Sequence, residues 1–169
     1  MQNQARHQPG LSQPSNARLG SFLLTLLNST RAQIELHPYC TREDVQALCK
    51  EHGIVLEAYS PLTKGLKLKE PVLVAIAKQY GVTTAQVLTE HIAHGMTHHD
   101  NLAQVTDCAC TWLVVQLLLR WALQRGAVIL PKSVNADRIK QNADVFGFHI
   151  SDKHMSELNA LNANLATGW

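Results

Sequence analysis

From residue 33 to the C-terminus, short strand-like segments alternate with helices, and that alternation restricts the chain to parallel strands joined by crossovers, the α/β class. Gln33-Ile-Glu-Leu-His alternates polar and apolar side chains in period two, as a strand does. Thr41-Arg-Glu-Asp then offers a capping hydroxyl and first-turn acids to a helix over Glu43 to His52, and Gly53 ends it in a left-handed conformation. Ile54-Val-Leu-Glu-Ala-Tyr is the next strand, closing at Ser60-Pro61. Pro71 starts a helix in which Val72, Leu73, Ile76, Ala77 and Tyr80 recur at helical spacing, with Gly81 at its end. Thr83 or Thr84 caps another. Leu117 to Gln124 is helical and closed by Gly126, and Ala127-Val-Ile-Leu is a wholly apolar strand of the buried parallel type. Asn135 caps a helix over Ala136 to Val145, and Ser151 begins a last one with Met155, Leu158 and Leu161 on one face.

Only three strands are visible in this pattern. A parallel sheet needs cover on both faces, and three strands cannot close a barrel, so open edges and an apolar face invite self-association.

Fifteen Lys and Arg against thirteen Asp and Glu leave +2 at pH 7, too balanced for nucleic acid or an anionic membrane as the main partner. The longest apolar run, from Trp112, is broken by Gln116 and Arg120, well short of the roughly 18 residues a spanning helix needs. Four cysteines, unevenly placed, do not read as a disulfide framework, which favours a reducing, cytoplasmic setting. The first 32 residues differ from the rest. No acid precedes Glu35, and the Pro- and Gln-rich start reads as a flexible tail unrelated to the following units. A targeting peptide, with Phe22-Leu-Leu-Thr-Leu-Leu as its apolar core, is the competing reading.

Three motifs, Gln33-Ile-Glu-Leu-His-Pro-Tyr, Glu57-Ala-Tyr-Ser-Pro-Leu and Val128-Ile-Leu-Pro-Lys-Ser-Val, occur in order, with Leu118-Leu-Arg-Trp-Ala-Leu-Gln-Arg-Gly and Ala166-Thr-Gly-Trp beside them. Together they resemble the aldo-keto reductases, (β/α)8 TIM barrels that reduce aldehydes and ketones with NADPH. The resemblance covers Gln33 to Gln86 and Leu117 to Trp169 and implies a partial barrel, its last three βα units. A full barrel takes about 250 residues. By the same resemblance, Gln33 hydrogen-bonds the cofactor carboxamide, Tyr59 stacks on the nicotinamide, and Ser60 and Leu62 line the cofactor beside it. Lys132, Ser133 and Arg138 form the clamp for the adenosine 2'-phosphate, with Val134 cofactor-binding beside them and Gln141 and Asn142 near the adenine. Physical chemistry agrees with that carry-over: a cation and a guanidinium fork around a capped helix N-terminus suit a phosphate monoester, which favours NADP over NAD. Gln141 departs from the family, which commonly has Glu there.

No catalytic residue is assigned. The family's Tyr, Lys, Asp and His belong to its first four strands, His37 belongs to a later strand, and none of Tyr39, Tyr59 and Tyr80 sits in the catalytic context. The expectation is therefore a C-terminal fragment of an oxidoreductase, inactive alone on small carbonyl substrates and binding NADP weakly. The alternative is a non-enzymatic half barrel that at most binds NADP or associates with other chains.

Val87 to Gln116 reads as an insert, because removing it joins Thr83-Thr-Ala-Gln to Leu117-Leu-Leu-Arg-Trp as one continuous helix. Val codons begin GT and Gln can be encoded by CAG, the two ends an intron carries. Thirty codons keep the frame, so the segment reads as translated intron. Its expected structure is an irregular loop. His91, His94, His98, His99, Asp107, Cys108 and Cys110 are zinc-type ligands, but Gly95 and Asn101 interrupt them and Cys108-Ala-Cys110 lacks knuckle spacing, so no metal is assigned.

Overall fold

The computed structural model describes residues 29–81 and 102–168, with side chains in the second span described from residue 110. Three strands, β1 (Arg31–Glu35), β2 (Val55–Tyr59) and β3 (Val128–Leu130), form a parallel sheet in the order β1-β2-β3. The helices are α1 (Glu43–Glu51), α2 (Pro71–Tyr80), α3 (Leu102–Gln124), α4 (Ala136–Ala143) and α5 (Asp152–Asn159), with one 3-10 turn at Thr63–Gly65. The α/β reading thus holds among the described residues.

Register gives the sheet two unlike faces. Ala32 pairs with Leu56, and Ile34 with Ala58 and through it Ile129, and this face lies under the helices. Leu73, Ile76 and Ala77 of α2, Val114, Leu117, Leu118 and Trp121 of α3, and Leu158 of α5 complete that core. Gln33, Glu57 and Val128 share the opposite face with Glu35, Tyr59 and Leu130, since in-register neighbours of a parallel sheet point to one side. No described helix covers it. Gln33 is exposed, and Arg31 reaches Glu57 across it at 3.5 Å.

Several expectations are corrected here. β3 is not buried: Val128 is 46% and Leu130 38% exposed, because an apolar strand is buried only if both neighbouring layers are present. Thr41 does not cap α1; it is buried, and Arg42 holds the N-cap position at φ 45° with no side-chain cap. Val72 faces outward while Leu73, Ile76 and Ala77 are buried. β1 begins at Arg31, so the tail boundary at residue 32 falls inside a strand.

The largest difference concerns the insert. From Leu102 its chain is not irregular but helical, and α3 runs unbroken through Gln116 into Leu117. Its last turns are built into the core. Val114 is fully buried, and Leu113 lies so close to Gly81 that an added Cβ there would sit 2.9 Å from its methyls. The cap expected at Thr83 or Thr84 and the ligands His91 to Cys108 lie outside the residues whose side chains are described. Cys110 is half-buried and free. Among the described residues no helix is long and apolar enough to cross a membrane, and no group of three metal-ligating side chains occurs.

Candidate functional site

Glu35, Tyr59 and Leu130 stand in one register row, so all three strands deliver their following loops at the same edge of the sheet. Ligands of such sheets gather at these C-terminal strand ends. After β2 the chain coils tightly, with Ser60, Thr63 and Lys64 all at positive φ (48°, 52° and 52°). Backbone of this kind is costly for residues with a Cβ and persists where surroundings hold it. Buried Thr63 does the holding: its hydroxyl donates to the Leu62 carbonyl at 2.7 Å and accepts from the Lys67 amide at 3.2 Å.

Beside this coil lies a cleft of about 640 Å³. It is lined by Leu62 and Leu68 after β2, by Lys132, Ser133 and Val134 after β3, and by Arg138, Gln141 and Asn142 along one face of α4. Thr111, Trp112 and Val115 of α3 complete the lining. Asn135 opens α4 as its sequence suggests, its side-chain oxygen accepting from the Arg138 amide at 3.0 Å. The Ser133 hydroxyl accepts from the Asn135 amide at 3.3 Å, which fixes the turn into the helix. At the far end of α4, Gln116 donates to the Asp144 carbonyl at 2.6 Å and Arg120 to the Val145 carbonyl at 3.3 Å, and these bonds set the gap between α3 and α4. Among the described residues neither Lys132 nor Arg138 is paired with a carboxylate.

Seven of the ten expected cofactor residues therefore meet in one cleft: Leu62, Lys132, Ser133, Val134, Arg138, Gln141 and Asn142. The other three do not line it. Tyr59 ends β2 on the uncovered sheet face, Ser60 follows it, and Gln33 lies on that face opposite Glu57, two residues short of the strand end. Leu68, Thr111, Trp112 and Val115 were not anticipated. The helical spacing of the last three is their one signal in the sequence.

Next to β1, a buried polar cluster shapes the same edge. Burial pushes the Glu35 carboxyl up, but hydrogen bonds from the Thr167 hydroxyl and amide and from His37 outweigh it and hold it below its usual range. His37, fully buried, is pushed down by desolvation, which its contact with Glu35 at 3.1 Å only partly offsets. Tyr39, buried with no partner for its hydroxyl, is raised to about 12 by desolvation and then by Glu70.

The profile of the Aldo/keto reductase family matches residues 28–163, most of the chain. This chain belongs to that family. The Bacillus subtilis oxidoreductase YtbE is 35% identical over 136 residues, 80% of this chain and 38% of its own length. Glyoxal reductase of the same organism is likewise 35% identical, with the same shares covered. Among solved structures, the Bombyx mori aldo-keto reductase in complex with NADP superimposes with a TM-score of 0.60 at 27% identity, over 89% of this chain and 42% of that one. The chain thus spans about two fifths of the length of the aldo-keto reductases it matches.

Proposed function

We propose that this chain is the C-terminal part, the last three βα units, of an NADP-dependent aldo-keto reductase barrel, and that its cleft holds the adenosine 2'-phosphate end of NADP(H). The observation that carries the reading is the convergence of Lys132, Ser133 and Arg138 on one cleft beside the capped start of α4. Those donors suit a phosphate monoester: an ammonium gives a point charge, a guanidinium a planar fork, and a helix start a favourable dipole. The Gln141 and Asn142 amides, farther along the same helix face, suit the edge of a purine.

Bound NADPH supplies the hydride for carbonyl reduction. This chain's own residues bind and orient: Tyr59 offers a flat ring at the end of β2 and Gln33 an amide for the nicotinamide end. The acid is assigned to no residue here. Tyr39 is shifted in the direction opposite to the one an acid catalyst working near neutral pH requires. Residues 87–116 are read as an insert within the barrel, and the compartment as the cytoplasm. Small carbonyl compounds are the substrates of the whole barrel.

Fluorescence titration tests the binding role. NADPH is expected to bind more tightly than NADH, and Lys132→Ala with Arg138→Ala to weaken NADPH at least tenfold without changing NADH. Equal affinities for the two cofactors in the unaltered chain would overturn the phosphate assignment. Turnover of an aldehyde panel by the purified chain alone would overturn the fragment reading. A second reading, a non-enzymatic half barrel that associates with other chains, is favoured by the uncovered sheet face and the exposed Val128 and Leu130.

A further inference from the structure

We infer that Trp112, contributed by the segment between Val87 and Gln116, is the purine-stacking wall of the cleft, a binding residue for an adenine nucleotide with a second phosphate on its ribose. The inference rests on the cofactor reading above and extends it to a residue outside the motifs that led to that reading. Trp112 lines the cleft with Thr111 and Val115, one face of α3, while Val114 and Leu117 on the other face are buried in the core. The helix is therefore fixed in rotation by its core side, and the indole is held at the cleft rather than free to turn away.

The same cleft is lined by the amides of Gln141 and Asn142 and by the cations Lys132 and Arg138. A flat apolar ring and hydrogen-bonding amides lining one cleft are the two kinds of surface a purine needs: one for its face, one for its edge. The volume of about 640 Å³ lies within the range of small-ligand clefts. The gap is set in advance by the bonds from Gln116 to Asp144 and from Arg120 to Val145, so little ordering is left for the ligand to impose. The ring also carries a cost that packing alone does not explain. Its Nε1–H is shut off from solvent and has no acceptor, a penalty that Phe or Leu would avoid.

Adenosine 2',5'-bisphosphate, which lacks the nicotinamide half, is the probe, titrated by calorimetry against the full chain and the Trp112→Leu, Trp112→Phe and Lys132→Ala variants, each checked by circular dichroism. Trp112→Leu is expected to weaken binding roughly tenfold, on the scale of a lost base–aromatic stack, and Trp112→Phe to restore most of it. In a Trp169→Phe background the only other indole, Trp121, is fully buried, so the bisphosphate should shield Trp112 fluorescence from acrylamide without any change to that residue. Unaltered affinity in Trp112→Leu, or no shielding, while Lys132→Ala still weakens binding, overturns the role of Trp112 and leaves the cofactor reading standing. Absence of binding by the unaltered chain overturns both.

Discussion

Thr167 and Glu35, 132 positions apart, are joined at the edge of the sheet: the Thr167 amide donates to Glu35 Oε1 at 2.8 Å, and its hydroxyl donates to the same oxygen. The segment after α5 is tied down there and again where the Ala163 and Leu165 amides donate to the Tyr39 carbonyl at 3.2 and 2.9 Å. Hydrogen bonds to a buried charged group are each worth about 1.5–3 kcal/mol. Thr167→Val is therefore expected to cost about 2 kcal/mol, read as a lower urea midpoint at unchanged slope.

The same cluster sets an acid limit. His37 and Glu35 both have folded pKa values below their ordinary 6.5 and 4.5, so in each case the unfolded chain takes up its proton first. Their contributions are whole at neutral pH and are lost as pH falls, His37's from about 6.5 and Glu35's from about 4.5. A melting-temperature profile should fall in two stages across that window, and His37→Gln should remove the upper one.

Arg138→Lys tests the fork rather than the charge. A lysine keeps the cation but loses the paired donors, so NADPH affinity should drop several-fold in calorimetry, with a smaller change in its dependence on salt than Arg138→Ala causes.

Joining Gln86 to Leu117 places Thr84 at the position of Val114 and Gln86 at that of Gln116, since α3 is continuous through the junction. Gln86 then inherits the bond to the Asp144 carbonyl now made by Gln116 at 2.6 Å. The shortened chain should fold with a melting temperature within several degrees of the original, by circular dichroism. It should also lose the indole wall of the cleft, and with it affinity for the bisphosphate.

Exposed Val128 and Leu130 are the apolar part of the open sheet face. On the reading of a half barrel that associates with other chains, Val128→Lys should shift a sedimentation profile toward monomer, since a charge on a bare strand blocks edge and face association.

Where local rules governed, the sequence was readable. Asn135 and Ser151 cap α4 and α5 through their side chains, and Gly53 and Gly126 turn at φ 64° and 81°. Thr41 misled because its place is set by a distant partner: its amide donates to Asn162, while its carbonyl accepts from Gln46 of α1. β3 misled because burial is a property of neighbours, and an apolar triplet is silent on whether they exist. Within the site, the wall after β3 could be read from its motif. The lining from α3 could not, because Thr111, Trp112 and Val115 gain meaning only once α3 is seen to continue upstream of Leu117.

The uncovered side of the sheet grades from wet to greasy across its width. Arg31, Gln33 and Glu57 can stay hydrated at no great cost, whereas the third strand presents only Val128 and Leu130. Stickiness in this molecule accordingly has a direction. Apolar contact with that face is therefore strongest at the β3 margin and weakest toward β1.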